Sequence, residues 1–561
     1  MKNHVLHEKH EFPSIRELVE EIGDLYFGKV AFSYRFKATD KEIQKKNYEQ
    51  LRADVRALGT ALIARGLAGK TVALIGKLSY SWVLLYYAVQ AVGSVLTPLD
   101  RDWTAEDLAD TAQRADAAAA FVDTDIRAKG DAVVAAIEGA LYSVDGDGEN
   151  SVAALLAEGQ ALLAEGDRRY FETELDTEKM SLLVFTSGTT GKGKGVMLSQ
   201  KAVLSDMADV LPYIDFTDNT IGVLPPHHTY GSSVSILGHN SIGCEVYISG
   251  GLKYITKELK DRAPGHMVLV PLYLETFYRK ITDNIKKQGK GKLIATMMKV
   301  SNALLKVGID LRRVFFKQIL EVFGGNIRMI VTGGAHINQD VLDFFRGIGI
   351  SVLNGYGITE CAPIIAVNRS RSVVPGSVGY PLSIMDVKIA DPNENGEGEI
   401  CVKGSNVMLG YYKDEDATRD AFDEDGYFKT GDYGKLENGV IYITGRKKNL
   451  IILSNGKNVY PEEIETEFIS VPGLTDIIVY EGQSKRGVMH NAIVVEIYPD
   501  FELLKERGIT DVEGYFKGFV NEYNKTAVPY KKIGITKIRT EEFPKNTLRK
   551  IMRFKLDMTI D

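Results

Sequence analysis

The stretch richest in groups that could do chemistry is Thr186-Ser-Gly-Thr-Thr-Gly-Lys-Gly-Lys-Gly195. Its glycines at 188, 191, 193 and 195 permit positive φ and let backbone N–H groups approach an anion. The hydroxyls of Thr186, Ser187, Thr189 and Thr190 and the two lysines add donors. This composition suits a polyphosphate cradle. Gly188-x4-Gly193-Lys194 follows most of a Walker pattern, but Gly195 stands where Ser or Thr would bind Mg2+. A conventional P-loop ATPase is therefore disfavoured. On composition alone, a Gly-rich hairpin turn explains the stretch equally well.

Other candidates are weaker by themselves. Residues 525–555 carry ten Lys or Arg and two acids, so Lys550 reads first as part of a solvated basic face. His227-His228 is no metal signature without further ligands. Glu360 in a Thr-Glu pair and Asp432 in a Gly-Asp turn are each ordinary turn residues in isolation. Cys244, Cys361 and Cys401 form no CxxC or other close pair. Neither a disulfide framework nor a zinc site is expected, and a reducing compartment fits.

The chain that must position these groups has 561 residues, enough for three or four domain-sized units. With 44% hydrophobic and 25% charged residues it is neither disordered, collagenous nor a coiled coil as a whole. Lys plus Arg is 68 and Asp plus Glu is 75, and the net charge of −7 argues against a dedicated nucleic-acid binder. The N-terminus, MKNHVLHEKHEF, lacks the apolar core of a secretory signal, so a cytoplasmic location is the default expectation. Residues 78–99 carry no charge and could span a bilayer by length. Serines, Gln90, Gly93 and Pro98 favour instead a buried helix over 80–92 and a buried strand over 94–99.

Strand-like and helical patterns alternate: helix 52–65, strand 71–75, a helix opened by Thr104-Ala-Glu-Asp107, strand 117–122. This predicts a mostly parallel sheet with helices on its faces. From about Val378 short alternating segments such as 399–403 and 440–444 predict antiparallel β structure. A strand-like 450–453, a helix over 461–470 and mixed α/β follow. The domain break is placed near residues 446–450.

The glycine-rich loop resembles the [ST]-S-G-T-T-G-x-P-K-G signature of adenylate-forming enzymes, the superfamily of acyl-CoA synthetases, peptide-synthetase adenylation domains and luciferases. Gly193 replaces the usual proline, from which a looser loop is expected. Four further segments resemble family motifs in the expected order. They are Asn354-Gly-Tyr-Gly-Ile-Thr-Glu360, Tyr427-Phe-Lys-Thr-Gly-Asp432, residues 445–456 beginning Gly-Arg-Lys-Lys, and Pro544-Lys-Asn-Thr-Leu-Arg-Lys550. In the last, Arg549 replaces a frequent glycine. The resemblance implies a large N-terminal AMP-binding region of parallel α/β subdomains plus a β-rich subdomain, residues 1–447. A small mobile α+β C-terminal domain, residues 448–561, would carry the catalytic lysine.

It also implies roles. Lys550 would bridge the carboxylate and the α-phosphate. Thr186, Ser187, Gly188, Thr189, Thr190, Gly191 and Lys194 would hold the phosphates of ATP. Glu360 would bind Mg2+, with Thr189 or Thr186 as partner. Tyr356 would stack on adenine in the room left by Gly355 and Gly357, within a motif that also supplies Asn354 and Thr359. Gly333, Gly334 and Ala335 would wall adenine from the acyl pocket. Asp432 would accept the ribose hydroxyls and Arg446 would donate to ribose or phosphate. His228 would sit near the carboxylate, with the catalytic residues, as a gate between the acyl and CoA tunnels; Tyr230 and Gly231 would line the acyl pocket, Lys448 would be the hinge, and Gly456 and Lys457 would line the CoA path.

Residues 269–281 and 308–316 resemble segments of long-chain fatty acyl-CoA synthetases, and Pro226-His-His-Thr-Tyr-Gly231 lacks an Asp for a substrate amine. The expected activity is ATP-dependent formation of a fatty acyl-AMP with release of pyrophosphate, then thioesterification to CoA. Alternatives are an aryl or other carboxylate–CoA ligase, an acyl-AMP ligase loading a carrier protein, and a non-catalytic nucleotide or lipid binder. Finally, Leu293, Met297, Val300 and Leu304 recur at helical spacing beside Lys292, Lys299 and Lys306. The plainer expectation is a helix packing its apolar face on the core. Peripheral membrane contact is the alternative.

Overall fold

The computed structural model describes residues 4–186, 193–453, 458–469, 471–484, 492–545 and 551–560. The chain forms two compact units. The first comprises Met1–Gly334, Asp343–Asp386 and Val402–Phe428; the second comprises Ala335–Leu342, Val387–Cys401 and Lys429–Asp561. Lys448 falls inside the second unit, whose last stretch begins at Lys429.

The first unit holds three sheets. In the largest, strands run in the order Gly410–Tyr411, Lys194–Ser199, Met180–Thr186, Val95–Leu99, Thr71–Ile75, Ala117–Val122 and Ala140–Ser143. The last five are parallel, and the first two are added antiparallel. Parallel neighbours need crossover connections, which is why the sequence alternates strand and helix here. A five-stranded sheet places His266–Leu269, Met329–Thr332 and Ser351–Gly357 in parallel, then Ile364–Val367 and Tyr380–Pro381 antiparallel. A four-stranded sheet contains Gln44–Asn47, Val30–Tyr34, Glu245–Ile248 and Asn219–Gly222.

The uncharged stretch 78–99 is helix Tyr80–Ala91, capped by the Ser79 hydroxyl, then a turn at Gly93 (φ +73°) and strand Val95–Leu99. All its helical residues except Ser81 are buried. Among the described residues no helix is long and apolar enough to cross a membrane. All three cysteines are buried and none is in a disulfide.

The second unit contains most of a four-stranded sheet ordered Met385–Ala390, Gly398–Gly404, Phe428–Glu437, Val440–Arg446. Its C-terminal part is a three-stranded sheet, Leu474–Gly482, Ala492–Pro499 and Ile535–Ile538. Ile464 and Phe468 of helix Pro461–Phe468 and Phe516 and Val520 of helix Val512–Thr526 share one core with Val479 and Val495 of this sheet.

One expectation holds only in part. Helix Gly291–Lys306 buries only Ser301 completely; Met297 and Leu304 of its apolar stripe are half-buried, whereas Leu293 and Val300 lie open to solvent. Sequence periodicity reveals a stripe but not what covers it.

A buried histidine pair joins two elements of the first unit. His239, just after the π-helix Tyr230–Gly238, lies 2.8 Å (Nε2 to Nε2) from His266 of strand His266–Leu269. The Ser235 carbonyl only accepts, so His239 Nδ1 donates to it (2.9 Å) and His239 Nε2 accepts from His266 Nε2–H. His266 Nδ1 then accepts from the Thr217 hydroxyl at 2.7 Å and from its N–H. This chain satisfies both rings when neutral. Burial holds the His239 pKa down to about 4. Unfolded, it would bind a proton near pH 6.5, so stability is full above that value and lost as pH falls toward 4. At pH 5 this histidine alone costs about 2 kcal/mol relative to pH 7. His239→Asn should therefore narrow the gap between urea midpoints measured at pH 7 and pH 5, and an unchanged gap would refute the assignment.

Candidate active site

The glycine-rich loop is bracketed by antiparallel strands Met180–Thr186 and Lys194–Ser199, with Thr186 opposite Lys194. Ser187, Gly188, Thr189, Thr190 and Gly191 lie outside the described residues. Both sequence readings of the stretch, a hairpin and an anion cradle, are compatible with this placement. Gly193 is held: Arg114 donates to its carbonyl at 2.6 Å. A Cβ there would meet the Thr186 carbonyl oxygen at 2.2 Å. The expected loosening from loss of proline is thus opposed at the loop's C-terminal stem. Arg114 escaped the sequence reading because it lies 79 residues away in the chain.

Glu360 sits on the 3-10 turn Thr359–Cys361, between strands Ser351–Gly357 and Ile364–Val367. The turn is clamped from beneath. The buried Asn406 side-chain amide donates to Cys361 O (3.0 Å), Ile364 O (2.8 Å) and Asp206 Oδ1 (3.0 Å). Asp206 Oδ2 accepts the Ile364 N–H at 3.2 Å. Burial pushes the Asp206 carboxyl well above its usual range, against the pull of Asn406 and the Ile364 N–H. From above, the Tyr411 hydroxyl donates to Glu360 Oε1 at 3.0 Å. Tyr411 pairs with Val196, which places its ring beside Lys194, whose ammonium lies 4.6 Å from the ring centroid. One tyrosine therefore contacts both the loop lysine and the motif glutamate. Among the described residues Glu360 Oε2 has no hydrogen-bond partner. A single partly exposed carboxylate suits Mg2+, a hard cation that keeps most of its shell from phosphates and water. Tyr411, Asn406 and Asp206 carry no signal in sequence, because only their spatial partners give them a role.

Nearby in the same unit is an apolar cavity of about 80 Å3, lined by residues including Met207, Phe216, Tyr230, Val234, Thr332 and Ile364. Gly333, Gly334, Gly355, Tyr356 and Gly357 also form its wall. Asn354, Thr359, His228 and Gly231 flank these wall residues in the chain. Tyr230 opens the π-helix, and its hydroxyl faces the Leu269 and Val331 carbonyls, both at 3.4 Å. The Thr332 hydroxyl is buried with no partner among the described residues. Beside His228, whose ring centroid is 4.2 Å away, His227 is held down to about pKa 4 by burial.

The glycines around Tyr356 need a corrected explanation. A Cβ on Gly357 would meet Pro363 O at 2.1 Å, and one on Gly355 would meet Ala366 O at 3.3 Å. They admit the antiparallel neighbour strand rather than simply leaving room for a base. A Cβ on Gly231 would meet Pro225 O at 2.1 Å.

In the second unit, Asp432 and Arg446 are cross-strand partners, with Arg446 Nε 2.7 Å from Asp432 Oδ1. The buried Glu399 accepts from the Gly431 N–H (3.2 Å) and pairs with Lys447 (2.6 Å), bracing the turn before Asp432. Lys448 follows on the 3-10 turn Lys447–Asn449, and neighbouring Arg446 adds to desolvation in lowering its pKa. Ala335 opens the stretch Ala335–Leu342, in which Asn338 donates to Thr466 O at 3.1 Å. Gly456, Lys457 and Lys550 lie outside the described residues.

The profile of the AMP-binding enzyme family matches residues 22–412. The long-chain-fatty-acid–CoA ligase FadD15 of Mycobacterium bovis is 30% identical over 451 residues, 76% of this chain and 73% of that protein. Human long-chain-fatty-acid–CoA ligase 1 is 29% identical over 511 residues, 83% of this chain and 71% of that protein. In fold, ATP-bound MatB from Rhodopseudomonas palustris matches with a TM-score of 0.75 at 24% identity, covering 96% of this chain and 97% of that one. The chain belongs to the AMP-binding enzyme family, and its architecture is that of the adenylate-forming ligases.

The glycine geometry is testable. Gly357→Ala forces backbone apart and should cost about 1–3 kcal/mol, as overpacking typically does. Gly355→Ala, whose contacts are 3.3 Å or longer, should cost less. Urea midpoints in the reverse order would contradict this account.

Proposed function

We propose that the chain is an ATP-dependent acid–CoA ligase acting on medium- or long-chain fatty acids. The observation that carries the reading is the apolar cavity walled by Gly333, Gly334, Tyr356 and Gly357, motif residues of the family, with no charged residue in its lining. An apolar acid suits that wall, whereas an amino acid would call for a buried carboxylate. Relatives named as long-chain-fatty-acid–CoA ligases support the same substrate class. The enclosed space is small beside the roughly 150 Å3 apolar cavity that admits benzene. Met207, with its adaptable thioether, is the wall residue best suited to yield to a longer chain.

In the first half-reaction the fatty carboxylate, already ionised at neutral pH, attacks the α-phosphorus of ATP. The new bond is acyl C–O–P, and pyrophosphate leaves. No protein nucleophile is needed; the difficulty is that two anions must meet, so fixed positive charge does the work. We assign Lys550 to the carboxylate and α-phosphate, and Lys194 with Thr186, Ser187, Gly188, Thr189, Thr190 and Gly191 to the polyphosphate. Glu360, with one oxygen held by Tyr411 and Thr189 as partner, would hold Mg2+, which when bound neutralises phosphate charge. Asp432, oriented by Arg446, would accept the ribose hydroxyls. In the second half-reaction the CoA sulfur bonds to the acyl carbon and AMP departs. Lys448 as hinge, Gly456 and Lys457 as the thiol's path, and His228 as gate complete the assignment.

Pyrophosphate release from Mg-ATP across acids from acetate to stearate, with and without CoA, tests the reading. CoA-dependent turnover that is greatest for medium or long chains is expected. Adenylate formation that ignores CoA would point to carrier loading, and a preference for benzoates would move the substrate. Lys550→Ala should slow adenylation about 100–1000-fold yet spare the reaction of supplied acyl-AMP with CoA. Separately, Tyr411→Phe should raise the Mg2+ concentration needed for half-maximal adenylation. It should also weaken Mn2+ binding alongside a non-hydrolysable ATP analogue; unchanged metal dependence in both assays would remove Tyr411 from this role.

A further inference from the structure

Two sides of the candidate phosphate site are braced from one corner of the first unit, the C-terminal end of helix Ala105–Arg114. Arg114, its last residue, donates to the Gly193 carbonyl at 2.6 Å. Its guanidinium lies 5.2 Å from the ring centroid of Phe185, the residue before Thr186. Two residues on, the chain turns at Asp116 in the left-handed region (φ +51°). The Asp116 carboxylate accepts the Tyr412 hydroxyl at 2.7 Å and the Lys413 ammonium at 2.7 Å. The Tyr412 N–H in turn donates to Gly195 O at 2.8 Å. Lys194 therefore stands between two residues whose carbonyls are held. Tyr411, which contacts both Lys194 and Glu360, is followed directly by two residues tied to Asp116.

These ties matter because the strand they steady is short. Gly410–Tyr411 has two residues and lies at the edge of its sheet, paired on one side only. Backbone pairing alone constrains so short a strand weakly. Tyr412 and Phe185 also pack on one apolar core with Ala112 and Ala115 of the same corner. The Asp116 and Lys413 side chains are 55% and 57% exposed. Exposed ion pairs add little to global stability. What this one supplies is geometry, because it sets where the next residue, Tyr411, stands.

We propose that Arg114 and Asp116 are positioning residues for Mg-ATP. Arg114 fixes Lys194 through the Gly193 carbonyl. Asp116 fixes Tyr411, and with it one oxygen of Glu360, through Tyr412 and Lys413. Both act through their neighbours rather than on the nucleotide. The inference rests on the reading of Lys194 and Glu360 as the polyphosphate and Mg2+ groups.

The test pairs two measurements on the full chain: pyrophosphate release at varied Mg-ATP, and calorimetric binding of a non-hydrolysable ATP analogue with Mg2+. The variants are Arg114→Ala, Arg114→Lys, Asp116→Gly and Tyr412→Phe; glycine keeps the left-handed turn while removing the carboxylate. Arg114→Ala and Asp116→Gly should each lower kcat/KM for Mg-ATP about ten- to a hundredfold, the scale of a small misplacement of binding groups. Both should weaken binding of the analogue, with urea midpoints close to wild type. Arg114→Lys should recover part of the loss, since one ammonium can still reach the Gly193 carbonyl. Adding Tyr412→Phe to Asp116→Gly should change little, because both break the same tie. Wild-type affinity and kcat/KM in Arg114→Ala and Asp116→Gly would overturn the inference. So would losses that follow the urea midpoint, or fully additive losses in the double variant. Binding of the analogue by the wild-type chain without pyrophosphate release from any acid would overturn only the ligase reading. No binding of the analogue would overturn the assignment of Lys194 and Glu360, and this inference with it.

Discussion

A buried carboxylate, Asp206, ties together segments that the chain keeps far apart. Its oxygens take the Asn406 amide and the Ile364 N–H, and the same amide ties down the Cys361 and Ile364 carbonyls. The turn bearing Glu360 is therefore fixed on one side by a helix 158 residues upstream of Ile364 and on the other by the segment leading to Tyr411. An unpaired buried carboxylate is expensive, so the surrounding donors must stay in place for the fold to tolerate it. That constraint makes the position of Glu360 a property of the core.

Tyr411 extends the same logic to charge. Its hydroxyl engages Glu360 and its face lies by Lys194, so the lysine proposed for the polyphosphate and the carboxylate proposed for Mg2+ meet different parts of one ring. Had they met directly they would have neutralised each other. A neutral aromatic spacer leaves both charges unneutralised by each other, as the proposed binding of a metal-bound polyphosphate requires. Arg114 plays a comparable supporting part by pinning the Gly193 carbonyl.

Much of the framework follows from local rules. The strand at Thr71–Ile75, its neighbour at Ala117–Val122 and the Thr104 cap sit where apolar runs and capping chemistry place them. The 78–99 stretch resolves into helix and strand because Gly93 and Pro98 interrupt it. Less accessible was the purpose of the glycines around Tyr356. Their spacing marks a special backbone, but only the strand Ile364–Val367 explains what the missing side chains admit. The helix Gly291–Lys306 shows the same limit, since an amphipathic repeat looks alike whether its stripe faces a core or the solvent.

The sequence by itself determined the ordered motifs, and with them the family, the phosphate-rich chemistry and the alternation that yields parallel sheets. These are properties of residue type and short spacing. Tertiary structure alone decided the partners: Asn406 with Asp206, Tyr411 with Glu360 and Lys194, His239 with His266, and an apolar strip left open to solvent. Each depends on which distant segments meet. Hydrogen bonds and burial act through space, and neither leaves a periodic trace along the chain.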